Sequence, residues 1–360
     1  MSGTPPLVLA VAAILVIALN AYVLFGGADF GGGVWDLLAG GRRKQQQREL
    51  IEHAVGPIWE ANHVWLILVV VLTFVCFPAA FSRLAITLHI PLSLLLVGIV
   101  LRGSAFTFRS YDSSHRALQR RWGVIFAVAS TVTPVPLGIC VGALVSGAVG
   151  AAPTTSFHAR FVAPWMTPFA FAVGALALVL FAYLAAVYLT VEANEERLKE
   201  DFRRRALGAG MAVFVVAGVV LYLAREQAAF IVHGVMFAPL ALPLQIATAT
   251  AALTALWGLA NRRYRVARIA APVQVSLILW GWAYAQFPEI IPGALLLRDA
   301  AAPDITLKLV VIGITGGMIL IIPSLAYLLR IFKGDGNAFD RLETSGPTPD
   351  ARPTRLRGTP

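Results

Sequence analysis

Apolar residues run through this chain in long stretches separated by short polar segments. About twenty consecutive, mostly apolar residues make a helix long enough to cross a bilayer. Nine such stretches are legible, roughly 7–26 (with helical character running on to 38), 58–80, 84–104, 122–147, 164–190, 206–224, 236–260, 267–286 and 306–330. The fourth carries Pro134 and Pro136 and the seventh Pro239 and Pro243. Membrane helices tolerate proline where neighbours satisfy the freed carbonyls, so kinks are expected at both places. The pattern predicts an all-α polytopic membrane protein with about nine transmembrane helices.

Composition agrees. The chain is 58% hydrophobic and 13% charged, against about 25% charged in soluble domains. A formal charge of +10 would suggest nucleic acid in a soluble domain, but the placement of the charges gives it another meaning. Of 29 Lys and Arg residues, 24 fall in alternate connections and the C-terminal tail; the other side keeps only Arg83, Arg160, Arg225, Arg298 and Lys308. Basic loops stay in the cytoplasm. The N-terminus is therefore expected outside and the C-terminus inside, which an odd number of spans satisfies. No nucleic-acid partner is implied; the surroundings are membrane lipid.

The opening MSGTPP has no basic residue, so the first stretch reads as a span rather than a cleaved leader. The longest outer connection is 287–305. The acidic-then-basic segment 192–205 reads as a solvated extension of the fifth helix. Two regions follow: a membrane domain over 1–333, and a basic, disordered cytoplasmic tail over 334–360, rich in Gly, Pro, Thr and Arg. Cys76 and Cys140 lie in apolar runs and suggest core thiols, not a disulfide framework or a zinc site.

Chemistry concentrates in residues 54–78, AVGPIWEANHVWLILVVVLTFVCFP. Glu60 stands inside an apolar run, with Asn62 and His63 within a turn and Trp59 and Trp65 flanking. A charged side chain at the bilayer centre costs about 2.5–3.5 kcal/mol on insertion scales, and such groups usually serve ions or protons. Topology brings two more charges to a similar depth on the cytoplasmic side. Asp29 falls at the inner end of the first helix and Arg102 at the inner end of the third. An acid pair with a nearby arginine suits proton uptake: the arginine holds one carboxylate ionised while the other carries a proton. The competing reading for Asp29 and Arg102 is a structural ion pair at the headgroup boundary.

The stretch Gly26-Gly27-Ala28-Asp29-Phe30-Gly31-Gly32-Gly33 is not a phosphate loop, since it follows no strand and lacks Lys-Ser/Thr. Small residues here, Gly31 and Gly33 among them, suit close helix packing. Of six histidines, His63 and His89 lie well inside spans. They fall at different depths on adjacent helices, which disfavours the facing pair that a bis-histidine haem requires. No metal site is expected.

Four patches carry a family resemblance. They are Gly27-Ala28-Asp29-Phe30-Gly31-Gly32-Gly33, similar to D-G-F-D-x-G-x-G; Gly56-Pro57-Ile58-Trp59-Glu60-Ala61-Asn62-His63-Val64-Trp65-Leu66, similar to P-x-W-D-G-N-x-x-W-L; Phe77-Pro78 with Leu101-Arg102-Gly103-Ser104-Ala105-Phe106-Thr107-Phe108-Arg109; and Trp280-Gly281-Trp282-Ala283 with Pro288 and Pro292. The chain resembles subunit II of the cytochrome bd family of quinol oxidases, including its cyanide-insensitive branch. The resemblance implies two four-helix bundles plus a peripheral helix, in a bacterial inner membrane. It implies a partner subunit I carrying haem b and haem d, or haem b only, with no haem bound directly by this chain. The complex would oxidise quinol and reduce dioxygen to water. Some branches of the family bind a structural quinone in subunit II, and a small accessory subunit is a further expected partner.

On this resemblance Glu60 lines a proton path, with Asp29, Asn62, His63 and Arg102 alongside it, Trp59, Gly31 and Gly33 packing the site, and Trp65 beside an oxygen access route. The chain departs from the family pattern at several points. Glu60-Ala61 stands where Asp-Gly is usual, and His63 where an acid or amide is common. Gly26 or Gly27 replaces an acid, and Arg120 and Arg121 stand near a turn where many members carry one. Three rivals remain open on sequence: a proton-coupled transporter, a purely structural membrane partner, and a dihaem b cytochrome using His63 and His89.

Overall fold

The computed structural model describes residues 3–111, 116–151 and 155–334; the side chains of 57–61, 110–111, 116–117, 325–326 and 328–334 lie outside the description. The chain is helical nearly throughout. The helices are α1 (Pro6–Leu37), α2 (Lys44–Cys76), α3 (Pro78–Thr87), α4 (His89–Tyr111), α5 (Arg116–Val132), α6 (Pro134–Val145), α7 (Phe157–Phe161), α8 (Pro168–Glu192), α9 (Glu196–Gln227), α10 (Ala229–Phe237), α11 (Ala241–Ala260), α12 (Tyr264–Gln286), α13 (Leu297–Ala300) and α14 (Asp304–Gly334). Among the described residues eight helices are long and apolar enough to cross a membrane, or nine if a bent pair in the second span counts as one.

Prolines set many of these boundaries. Pro6, Pro78, Pro134 and Pro168 each stand in the first turn of a helix, where the missing N–H costs nothing and φ is already helical. Thr167 caps α8 by accepting a hydrogen bond from the Ala170 N–H at 3.2 Å. The breaks expected at Pro134 and Pro136 and at Pro239 and Pro243 fall between α5 and α6 and between α10 and α11.

Three details differ from the sequence reading. The second apolar stretch is not one straight helix: Asn62–Cys76 and Pro78–Thr87 meet at 116°, because Pro78 cannot continue the ladder of α2 and Phe77 leaves helical geometry at φ −134°, ψ 59°. The third span starts at His89 rather than at 84 as a result. The charged segment before residue 206 extends the following helix, not the fifth. α8 stops at Glu192, Ala193 is extended, and α9 opens with Glu196 in its first turn, where a carboxylate favours the helix N-terminus. The outer connection holds a small antiparallel hairpin, β1 (Glu289–Ile291) with β2 (Leu295–Leu296).

Within residues 1–307, which form one compact unit, α1 is central. It packs on α2, α5, α8 and α12. The largest apolar cluster joins Val34 and Trp35 of α1 to Leu184–Val187 of α8, Phe202 of α9 and Ala255 of α11. The indole Nε1 of Trp35 donates to the Ala182 carbonyl at 2.7 Å and ties α1 to α8. Outward faces are apolar as well: Val97 is 54% and Leu253 68% exposed. In water such surface would drive association, whereas lipid covers it at no cost.

Candidate functional site

Four helices bring their polar residues to one buried point. Asp29 projects from α1 and Arg102 from α4, both fully buried, and the two form an ion pair. The Arg102 Nε donates to the Ser130 hydroxyl of α5 at 3.0 Å. From α2, the Asn62 Nδ2 donates to the second carboxylate oxygen of Asp29 at 3.3 Å. The guanidinium carbon lies 4.8 Å from the ring centroid of Phe30 and 5.3 Å from that of Phe126, so aromatic faces replace part of the lost hydration. His63, one residue beyond Asn62, is within electrostatic reach of Asp29.

The surroundings leave selected atoms without protein partners. Arg102 Nη1, Asn62 Oδ1 and the Tyr22 hydroxyl are buried and make no hydrogen bond among the described residues. Buried polar atoms of this kind ordinarily find a partner, protein or water. Tyr22 lies seven residues before Asp29, on the same face of α1. With Phe30 and Phe181 it forms an apolar cluster on which Trp65 and Leu66 pack, so Trp65 stands on the wall of this site. The glycines give α1 its close neighbours. A Cβ on Gly31 would overlap the Phe181 carbonyl of α8, and one on Gly33 would overlap Ser130 of α5. Glu60 and Trp59 are on the backbone of α2, two and three residues before Asn62, and their side chains lie outside the described residues.

A second buried carboxylate was not singled out from the sequence. Asp36, 1% exposed, follows Asp29 by seven residues, about 10 Å along α1 at 1.5 Å per residue. It faces Arg109 at 3.4 Å and Arg48 at 3.5 Å. Arg109 also holds Glu52 at 3.0 Å, whose side chain is 39% exposed. The signal was present, since an acid two turns after Asp29 shares its face.

His63 and His89 do not form a facing pair. His63 belongs to the Asp29 neighbourhood. His89 is exposed at the start of α4, its Nδ1 2.9 Å from the Ile86 carbonyl and its ring edge-on to Phe161. Thirteen residues of α2 beyond His63, about 20 Å of helix, lead away toward that end. Among the described residues, His, Cys, Asp and Glu side chains form no group of three or more suited to a metal.

The model of the family described as cytochrome bd terminal oxidase subunit II matches residues 7–332. The chain belongs to that family. It is a terminal oxidase subunit, and the proton-coupled transporter is not favoured. A cytochrome bd ubiquinol oxidase subunit 2 of Bacillus subtilis is 26% identical over 134 residues, 37% of this chain and 39% of that protein. A second bd-type subunit II from that organism is 20% identical over 324 residues, 87% of this chain and 92% of that one. The cytochrome bd-I ubiquinol oxidase subunit 2 of Escherichia coli K12 is 25% identical over 132 residues, 36% of this chain and 34% of that protein. In fold the chain resembles the bd oxidase of Geobacillus thermodenitrificans, with a TM-score of 0.77 and 20% identity over 91% of this chain and 99% of that one.

Proposed function

We propose that this chain is the non-haem subunit of a bd-type quinol oxidase in a bacterial inner membrane, and that its buried polar cluster belongs to a proton path from the cytoplasm. The partner is a subunit I that carries haem b with haem d, or haem b only; bound there, the haems supply electron transfer and dioxygen reduction. Quinol gives up electrons on the outer side and protons for water come from the inside, so a gradient arises without pumping. The separation of His63 from His89 supports this division of labour, since the two do not face one another. A structural quinone in this chain and a small accessory subunit belong to the same proposal.

One observation carries the proton role: the fully buried Asp29 carboxylate is held by Arg102 and Asn62 while Arg102 Nη1, Asn62 Oδ1 and the Tyr22 hydroxyl keep hydrogen-bonding capacity unused by the described residues. A structural pair needs no such surplus, whereas proton transfer needs donors and acceptors in sequence. Glu52, Arg109 and Asp36 extend polar groups from a partly exposed carboxylate toward it. In this reading Glu60 is the main carrier, Asp29 and Arg102 set the field around it, and Asn62 and His63 relay. Trp65 flanks an oxygen access route.

Glu60→Ala is expected to lower oxygen consumption by the purified complex on the order of 10²-fold, the scale of losing a positioned proton-transfer group, with haem content near that of the wild type. Glu60→Asp, which keeps the carboxyl, should recover much of the rate. Normal respiration by Glu60→Ala would remove the proton role. A pull-down of the tagged chain, with a reduced-minus-oxidised spectrum of the product, tests the assembly: a larger haem-bearing subunit should co-purify, and this chain alone should show no haem bands.

A further inference from the structure

A cleft of about 430 Å³ opens between the α1–α2 connection and the first turns of α9, away from the proton cluster. Four arginines line it, Arg42, Arg43, Arg204 and Arg205, against a single carboxylate, Asp201. Gln47, Gly40 and Gly41 form the rest of the lining, and Gly41 takes a left-handed turn at φ +74° that a side chain would resist.

Its positive charge is only partly answered. Asp201 is engaged by Arg43 at 2.5 and 2.8 Å and by Gln47 at 3.0 Å. Arg204 shares Glu200 with Arg203 and Arg262. Arg42 is exposed and has no ion pair among the described residues. Arg205 is the most telling. Its Nη2 donates to Gln47 Oε1 at 2.9 Å and to the Leu38 carbonyl at 3.3 Å. Its guanidinium lies 5.4 Å from the Trp35 ring and 5.1 Å from that of Phe202. Its Nη1 makes no hydrogen bond among the described residues. The fork is fixed by neutral groups and bonded to no carboxylate among them.

The level of the cleft narrows the ligand. α1 ends at Leu37 and the apolar run of α9 begins at Ala206, so both helices leave the hydrocarbon near the level where Arg42 and Arg205 stand. Leu37 and Leu38 are 42% and 58% exposed beside it. Cationic forks above exposed leucines match a phosphate with acyl chains below it. We propose that this cleft binds the phosphate of an anionic phospholipid headgroup on the arginine-rich face of the membrane.

The test uses the intact oxidase complex, delipidated in neutral detergent and titrated with phosphatidylglycerol under native mass spectrometry. Diacylglycerol supplies the same chains without phosphate, and inorganic phosphate the anion without chains. Wild type should bind one phosphatidylglycerol that Arg205→Gln and Arg42→Gln each weaken by about fivefold or more, from the usual contribution of a basic residue at an anionic surface. Diacylglycerol should not bind there, and Arg120→Gln/Arg121→Gln, which removes two charges elsewhere, should bind as wild type. Competition by millimolar inorganic phosphate would support the anion site and make free phosphate a second source; its failure to compete would fix the ligand as lipid. Equal binding by wild type, Arg42→Gln and Arg205→Gln overturns the proposal, as does an equal loss in the Arg120→Gln/Arg121→Gln control. Arg42 makes no ion pair among the described residues, so Arg42→Gln keeps the test decisive if Arg205→Gln, losing its bond to Leu38, does not assemble.

Discussion

Replacing Arg102 with methionine is expected to abolish accumulation of the assembled oxidase. The substitution keeps an apolar stem but leaves Asp29, fully buried, without its cation. Breaking a buried pair in this way costs about 3–5 kcal/mol, a large part of the roughly 5–15 kcal/mol that typically separates folded from unfolded. The loss also removes the donor to Ser130 and the charge packed on Phe30 and Phe126. The double variant Arg102→Met/Asp29→Leu removes both charges and should restore assembly, because a buried pair replaced by apolar residues of similar volume is often neutral or stabilising. Haem per complex, measured after size-exclusion chromatography, reads assembly; an oxygen electrode reads turnover. If the pair is only structural, the double variant recovers both. If Asp29 serves the proton path, it recovers haem and not oxygen consumption. Arg102→Met assembling as wild type would show that the carboxylate finds another partner and that the geometry described for Asp29 is not what stabilises it.

Much of this site is legible in the order of the amino acids alone, and the limits follow from the physics of each signal. Hydrophobic runs are long and strong, so the span 267–286 sits close to α12 apart from its solvated first turn, while 7–26 stops short of α1, whose last turns are buried around Asp29 and Asp36 and are too rich in glycine and acid for hydropathy to register. The neighbourhood of Asp29 and Arg102 followed from depth: alternating helix direction puts the inner ends of the first and third helices at one level. Ser130, Phe126 and Tyr22 were not legible. A serine or phenylalanine in an apolar run carries no mark of what it touches, and contact across 28 residues, as between Arg102 and Ser130, depends on helix rotation that hydropathy leaves free. Asp36 was legible in principle, through its spacing from Asp29, but a charge near a helix end usually reads as solvated, and only the fold shows Arg109 and Arg48 covering it. The bend at Phe77 came from one proline at a helix end, where sequence cannot tell a stop from a turn.

Gly31→Ala is expected to have an effect of similar size to Arg102→Met, by a different cause. At Gly31 the added methyl would overlap the carbonyl oxygen of Phe181, with the Phe181 carbonyl carbon at 2.6 Å and the Ala185 Cβ at 2.7 Å. The first obstacle is backbone, so no rotamer change in α8 relieves it. The two helices must separate, and separation loosens the Trp35 bond to Ala182 at 2.7 Å and the packing of Leu184 over Gly27. Overpacking a core costs about 1–3 kcal/mol where side chains can shift, and more is expected where a helix must move. Gly33→Ala meets a side chain instead, Ser130, so Gly33→Ala/Ser130→Gly should regain part of the lost stability. Ala185→Gly should not rescue Gly31→Ala, because the Phe181 carbonyl stays in place. Gly281→Ala has nothing within 4 Å of the new methyl and should leave the complex unchanged or slightly firmer, since alanine favours a helix over glycine by about 1 kcal/mol. Thermal melting of the assembled complex, followed by haem absorbance, ranks these variants. An unshifted melt for Gly31→Ala would mean that α1 and α8 do not approach this closely. Asp29, two residues before Gly31 on α1, would then stand differently against α4 and α5, and the buried ion pair would have to be rebuilt from that wider spacing.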